Sequence, residues 1–254
     1  MLDEIVARTK ADLPSLLARE ASVMARAEAA GLTRAFRAAL SDPGLSVIAE
    51  VKRRSPSRGT IDADLDPVDQ AKRYARGGAA AVSVLTERHY FSGSPADLTA
   101  VHDAISRPVL RKDFIVHPLQ IWEARGIGAD AVLLIVAVLS DADLAHLLSV
   151  ARQAELEALV EAHDEHEAVR AESAGAGIIG VNNRDLATFD VDLATAERVA
   201  ESLASSTVKV AESGIWTAAD AGRMRDAGYD AVLVGEALVR AEDPAALVAA
   251  MRGT

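Results

Sequence analysis

A chain of 254 residues, 50% apolar and 26% charged, has the composition of one large α/β fold or two small domains. Its formal charge of −11 argues against nucleic acid as a main partner, because phosphate backbones attract Lys/Arg-rich faces. With no cysteine, disulfides and thiolate metal sites are excluded, and a reducing compartment fits.

The chain opens Met1-Leu-Asp-Glu-Ile-Val-Ala-Arg-Thr-Lys10, with early acids and no signal-peptide core. The longest apolar run, Ala131 to Leu139, is strand-sized and well short of the roughly 18 residues of a spanning helix. A cytoplasmic enzyme that does not engage membranes is expected. Ile5, Leu13, Leu16, Leu17, Val23 and Met24 make a loose helical stripe. Residues 1–45 therefore read as an N-terminal helical extension, one helix or two, packed on the remainder of the fold.

From residue 46 onward short apolar runs recur, each bounded by turn residues. They are Ser46–Val51, Ala81–Leu85, Pro108–Leu110, Ala131–Val136, Glu157–Val160, Ile178–Val181, Val208–Ala211 and Ala231–Val234. Near-continuous Val/Ile/Leu/Ala marks strands of a parallel sheet buried on both faces. Helical patterns lie between them. Pro67–Arg76 starts with Pro and stops at Gly77-Gly78, and Ser140-Asp-Ala-Asp143 resembles a capping box for a helix through Val150. Gly78, Gly128, Gly175 and Gly228 read as helix C-cap glycines feeding the next strand. Eight βα units at this length predict a closed (β/α)₈ TIM barrel, one α/β domain over residues 1–254 with no linker.

A barrel carries its site beyond the C-terminal ends of its strands, so the polar residues there matter most. In the first run Val47, Ala49 and Val51 share the helix-facing side, while Ile48, Glu50 and Lys52 face the axis. Glu50 and Lys52 are either an acid/base pair or a structural ion pair plugging the barrel. Lys112 shares a face with Leu110, so a second lysine enters the mouth. Later runs end in Glu161, in Asn182-Asn183-Arg184 and in Glu212-Ser213-Gly214. Each alone reads as a solvated loop charge. Converging on one pocket, they would shift one another's pKa values and suit proton transfer. Ser213-Gly214 after the seventh run and Gly235-Glu236 after the eighth predict a phosphate held on backbone N–H groups. Glu236 fits beside an anion only if its side chain points away.

Three other features receive bland readings. Gly175-Ala-Gly177-Ile-Ile-Gly180 matches G-x-G-x-x-G but precedes or overlaps a strand instead of opening a helix, so no dinucleotide is expected. His163 and His166 read as a solvated helix start instead of metal ligands. Trp122 and Trp216 read as packing residues.

The strand-end segments closely resemble those of the indole-3-glycerol phosphate synthase family of tryptophan biosynthesis. They are Ile48-Ala-Glu-Val-Lys-Arg-Arg-Ser-Pro-Ser57, Ser83–Glu87 with Tyr90–Gly93, and Pro108-Val-Leu-Arg-Lys-Asp-Phe-Ile115. Ala129–Ile135, Gly180-Val-Asn-Asn-Arg-Asp-Leu186, Val210–Ile215 and Leu233–Leu238 come next, in the family's order. E-x-K-x-x-S-P and K-D-F are specific; the Gly loops are shared with other phosphate barrels. At this length none of the fused isomerase or amidotransferase domains of some relatives is expected.

The resemblance implies a carbon–carbon lyase. It would convert 1-(2-carboxyphenylamino)-1-deoxyribulose 5-phosphate to indole-3-glycerol phosphate, carbon dioxide and water, with no cofactor or metal. It implies Lys112 as general acid and Lys52, Glu50 and Glu161 for the remaining proton transfers, their division open. Asn182 and Arg184 would hold hydroxyls and the developing indole, and Ser55 with the lysines the carboxylate. Pro56, Phe91, Phe114 and Leu133 would wall the aromatic ring. Glu212 and Leu233 complete the expected lining, and Ser213, Gly214, Gly235 and Glu236 the phosphate site. The partner is a small sugar phosphate, with no nucleic acid and no membrane, and the chain acts as a monomer or weak homo-oligomer. Competing readings are a phosphoribosyl isomerase, a Schiff-base lyase using Lys112, and a non-catalytic sugar-phosphate-binding barrel.

Overall fold

The apolar runs hydrogen-bond side by side and close on themselves in a computed structural model that describes residues 1–185 and 188–253. Leu186, which ends one of the family-like segments, and Thr254, the end of the expected domain, lie outside the described residues. The barrel strands are β1 (Ser46–Val51), β2 (Ala81–Leu85), β3 (Val109–Lys112), β4 (Ala131–Ile135), β5 (Glu157–Ala162), β6 (Ile178–Asn182), β7 (Val208–Glu212) and β8 (Ala231–Val234). All pair in parallel, and β1 closes the ring by pairing with both β2 and β8. The architecture is the expected (β/α)₈ barrel.

Four strands run past their apolar runs. The expected strands ending at Leu110, Val160, Val181 and Ala211 end instead at Lys112, Ala162, Asn182 and Glu212. The ladder is made by backbone groups and is indifferent to side-chain polarity. A polar residue thus marks where the interior opens into the mouth, and the strand runs on to include it. The fourth strand is shorter than expected: it ends at Ile135, because Val136 starts a 3₁₀ turn.

The two faces of each strand separate as alternation demands. Val47, Ala49 and Val51 pack outward in a core that includes Tyr74, Leu98 and Ile121. Ile48, Leu110, Leu133, Leu159, Ile178, Val210 and Leu233 fill the inside.

The N-terminal extension forms three helices where one or two were expected: α1 (Leu2–Leu17), α2 (Glu20–Glu28) and α3 (Phe36–Leu40). Its stripe holds in part. Ile5, Leu16 and Val23 are buried, whereas Leu17 is exposed. Leu16 and Val23 pack on Leu119 with Leu13, Met24 and Trp122, so Trp122 is the expected packing residue. Phe36 and Leu40, fully buried, join the strand-start residues Ala81, Ala131, Ile178, Val208 and Ala231. Helix α3 thereby stoppers the barrel at the end opposite the mouth. Arg34 fastens this stopper: its N–H donates to Asp130 at 2.7 Å, and its guanidinium to the Arg107 and His102 carbonyls.

The outer helices are α4 (Pro67–Arg76), α5 (Pro95–Ala104), α6 (Pro118–Gly126), α7 (Asp141–Gln153), α8 (Glu165–Ser173), α9 (Ala194–Ala200), α10 (Ala218–Asp226), α11 (Glu236–Arg240) and α12 (Pro244–Arg252). Pro67, Pro95, Pro118 and Pro244 each open a helix behind a capping side chain, at Asp66, Ser94, His117 and Asp243. Ser140 caps α7, but Asp143 takes the Ser140 hydroxyl where a full capping box would take its N–H. The four expected C-cap glycines have φ of 87°, 93°, 85° and 88°.

Candidate active site

Every site residue expected from the sequence lines one cavity at the C-terminal ends of the strands. These are Glu50, Lys52, Ser55, Pro56, Phe91, Lys112, Phe114, Leu133, Glu161, Asn182, Arg184, Glu212, Ser213, Gly214, Leu233, Gly235 and Glu236.

Its floor is a set of paired charges. Lys52 Nζ lies 2.7 Å from Glu50 Oε1. Glu50 is fixed from behind, since the Ser83 hydroxyl donates to its Oε2 at 3.5 Å and Tyr74 donates to its carbonyl. Lys112 Nζ lies 3.1 Å from Glu161 Oε2 and 3.4 Å from Glu212 Oε2. Burial works against the Lys112 charge, but Glu161, Glu212 and Glu50 outweigh it and raise the ammonium above its usual range. The two carboxylates part company. Burial raises both, yet Lys112 and His163 pull Glu161 far below the ordinary carboxylate range. Glu212 is raised to about 8 by burial, with Glu161 and Glu50 adding to the effect against Lys112. At neutral pH Glu161 is the anion and Glu212 the acid, as expected when like charges share one counter-ion.

The apolar wall depends on buried loop anchors. Phe91 and Phe114 approach with ring centroids 6.2 Å apart. The buried Glu87 carboxylate accepts N–H groups of His89, Tyr90 and Phe91 and so shapes the loop that presents Phe91. Asp113 accepts the Phe114 N–H at 2.8 Å and pairs with buried Arg111 at 3.1 Å. The K-D-F motif is thus a mouth lysine, a strand-end anchor and a wall residue in sequence.

Opposite lies the end with exposed backbone. Ser213 and Gly214 have φ of 66° and 79°, a left-handed pair after β7. Gly235 precedes α11, which no side chain caps. A Cβ at Gly235 would lie 2.6 Å from Glu50 Oε1, so glycine also leaves room for the acid/base pair. The Glu236 carboxylate is drawn to Arg240 at 2.9 Å and Arg58 at 3.7 Å, leaving its backbone at the mouth. Arg184 is half-buried, and burial together with Arg58 works against its charge.

The sequence profile of a family described as indole-3-glycerol phosphate synthase matches residues 2–251. The chain belongs to this family. It is 50% identical over 254 residues to the indole-3-glycerol phosphate synthase of Mycolicibacterium smegmatis, covering 98% of this chain and 92% of that one. It is 50% identical over 237 residues to indole-3-glycerol phosphate synthase 2 of Streptomyces coelicolor, covering 93% and 92%. Among solved structures, 3-hexulose-6-phosphate synthase from Salmonella typhimurium superposes with a TM-score of 0.68 at 15% identity, covering 82% of this chain and 97% of that one. That likeness shows the barrel alone.

Some residues of this indole-3-glycerol phosphate synthase family barrel escaped the sequence reading or were misread. His163 is not a solvated helix start: its ring lies between Glu161 and Glu167, while His166 alone is exposed. Trp216 is not a packing residue: it is 41% exposed on the mouth rim. Gly180, the last glycine of the G-x-G-x-x-G stretch, sits where a Cβ would collide with Glu212 Oε1. Its missing side chain makes room for the second carboxylate. Met1 and, from α1, Leu2 and Ile5 also line the mouth. Asp12 ties α1 to the loop after β2, lying 2.9 Å from both Arg88 and His89. Glu87 carries a local signal, a lone acid just past an apolar strand and ahead of a glycine-closed loop.

Proposed function

We propose that this mouth closes the indole ring with Lys112 as the acid that receives the developing charge. The chain is an enzyme of the indole-3-glycerol phosphate synthase family, a carboxy-lyase of tryptophan biosynthesis. The observation that carries the residue-level reading is the Lys112 ammonium, set between Glu161 and Glu212 beneath the Phe91–Phe114 wall.

The phosphate of 1-(2-carboxyphenylamino)-1-deoxyribulose 5-phosphate rests on backbone N–H groups at Ser213, Gly214, Gly235 and Glu236. An uncapped helix start favours an anion, and Arg58 and Arg184 add positive charge. The aromatic ring lies between Pro56, Phe91, Phe114, Leu133 and Leu233, and Ser55 meets its carboxylate. The carbon bearing that carboxylate attacks the sugar C2 carbonyl. A carbon–carbon bond forms, the carbonyl π pair moves to oxygen, and Lys112 donates its proton there. An alkoxide is a stronger base than a lysine amine, so the transfer is downhill even from a raised ammonium. Carbon dioxide then leaves, and its bonding pair returns to the ring system. The apolar wall favours this step because it solvates the carboxylate charge poorly before that charge disperses into the ring system.

Dehydration needs a proton on the leaving hydroxyl and an acceptor for a ring-system proton. Lys52, held by Glu50, supplies the first; ionised Glu161 is the second. Asn182 and Arg184 hold the hydroxyls. Turnover is measured by mixing the protein with the substrate and watching indole fluorescence rise. An absence of product would overturn the assignment.

The chain works as one domain on a small sugar phosphate, as a monomer or weak homo-oligomer. Its acidic balance supports a partner set without nucleic acid. No helix among the described residues is long and apolar enough to cross a membrane. A cysteine-free biosynthetic enzyme fits the cytoplasm.

A further inference from the structure

Behind Glu161, on the side away from the cavity, the chain leaves β5 through Ala162 and His163 and enters α8. The His163 side chain is 13% exposed and lies between two carboxylates. Its Nδ1 is 2.9 Å from Glu167 Oε2, and the same oxygen accepts the His163 backbone N–H at 2.8 Å. Glu167 therefore holds both the ring and the main chain at this turn. His163 Nε2 is buried, lacks a hydrogen bond of good alignment and stands 3.4 Å from Glu161 Oε1. The other Glu161 oxygen holds Lys112. The two oxygens of one catalytic carboxylate are thus divided between a lysine in the mouth and an imidazole behind it.

The groups facing the ring set its charge. Burial disfavours the imidazolium, but Glu161 from β5 and Glu167 from α8 outweigh it and push His163 up to about 10. At neutral pH both ring nitrogens therefore carry protons. Lys112 stands on the far side of Glu161, and Glu212 beyond Lys112. Two carboxylates around one lysine compete for a proton. A second cation behind Glu161, with none among the described residues behind Glu212, biases that competition: Glu161 stays the anion and Glu212 keeps the proton.

We infer that His163, locked by Glu167, is a positioning residue for Glu161: it fixes the carboxylate's rotation and balances its charge from the side away from substrate. His163 itself gives up no proton and touches no substrate. The inference rests on the reading of Glu161 as the proton acceptor of the dehydration step.

The test measures kcat and KM against pH for His163→Ala, His163→Gln and Glu167→Gln, with Glu161→Gln as reference. Loss of an orienting partner costs about tenfold or more where a ligand depends on it, so kcat should fall about tenfold in His163→Ala and Glu167→Gln. KM should stay within about twofold, because neither residue meets the substrate. The acid limb of the kcat profile should move to higher pH, because Glu161 loses the cation that keeps it ionised. His163→Gln, which keeps a donor without the charge, should recover part of kcat with the limb still displaced. If kcat is unchanged in His163→Ala and Glu167→Gln, or falls with the acid limb unmoved, the inference fails. Should His163→Ala not fold, Glu167→Gln and His163→Gln decide by the same two readouts. An active Glu161→Gln would instead overturn the acceptor reading. An inactive Glu161→Gln beside unaffected His163 and Glu167 variants would overturn the positioning role alone.

Discussion

At their starts, the barrel strands point Ile48, Ala81, Leu110, Leu159 and Ile178 inward, sealed below by Phe36 and Leu40. Two to four residues later the same strands point Glu50, Ser83, Lys112, Glu161 and Asn182 inward. The first end removes apolar surface from water and needs no partner. The second buries charges, which is tolerable only because each acid or base has a counter-ion close by. The stopper end holds the barrel closed so that the mouth can keep groups that would otherwise stay in water. Stability and chemistry thus occupy opposite ends of one set of strands, as in barrels generally.

Substitutions at the two ends should separate these contributions. Lys112→Ala should lower turnover by about 10²–10⁴-fold, the range for losing a general acid, with the chain still folded but less stable, because buried Glu161 and Glu212 lose their counter-ion. A fully active variant would end its acid role. Phe36→Ala should cost stability alone. Emptying a fully buried ring site costs about 3–5 kcal/mol, read by denaturant unfolding, while kcat/KM of the folded protein stays near the parent value. A large kcat loss there would show that the two ends are coupled.

Gly180→Ala should injure both properties, because its methyl would meet Glu212 Oε1 and displace a buried acid. We expect kcat to fall about tenfold and stability by about 1–3 kcal/mol, the range for overpacking a filled interior. Parent-like values in both measurements would mean that Glu212 can move aside freely.

Glu212 also predicts a pH effect. Its folded pKa of about 8 exceeds its ordinary value of 4.5, so between those values the folded state holds a proton that the unfolded chain has released. This contribution is fully present below pH 4.5 and is lost as pH rises towards 8, at up to about 1.4 kcal/mol per pH unit. Glu212→Gln should therefore lose less stability than the parent between pH 5 and 8, by denaturant unfolding at each pH. Parallel curves would place the shared proton elsewhere. The smallest effect is at the rim. Trp216→Phe should change stability by less than about 0.5 kcal/mol, since the ring is 41% exposed. It should abolish any fluorescence response to inorganic phosphate that arises at the mouth.

The G-x-G-x-x-G stretch and His163-Asp-Glu-His166 mark the boundary of what the sequence could tell. Neither lies in the context that a nucleotide loop or a metal pair requires. Their actual surroundings were invisible, because each depends on contacts that no local pattern encodes. Gly180 meets Glu212 through the register of β6 on β7, and His163 meets Glu161 only because the strand continues two residues past its apolar run.

The sequence by itself determined the barrel, the inward face of each strand and the polar residues at the strand ends. Alternation and short apolar runs are local properties that backbone geometry converts directly into faces and strand ends. Tertiary structure alone decided which charge neutralises which. Lys112 lies between Glu161 and Glu212, and the proton rests on Glu212 instead of Glu161. That choice comes from desolvation and from cations several strands away, and burial and distance are set only when the ring of strands is closed.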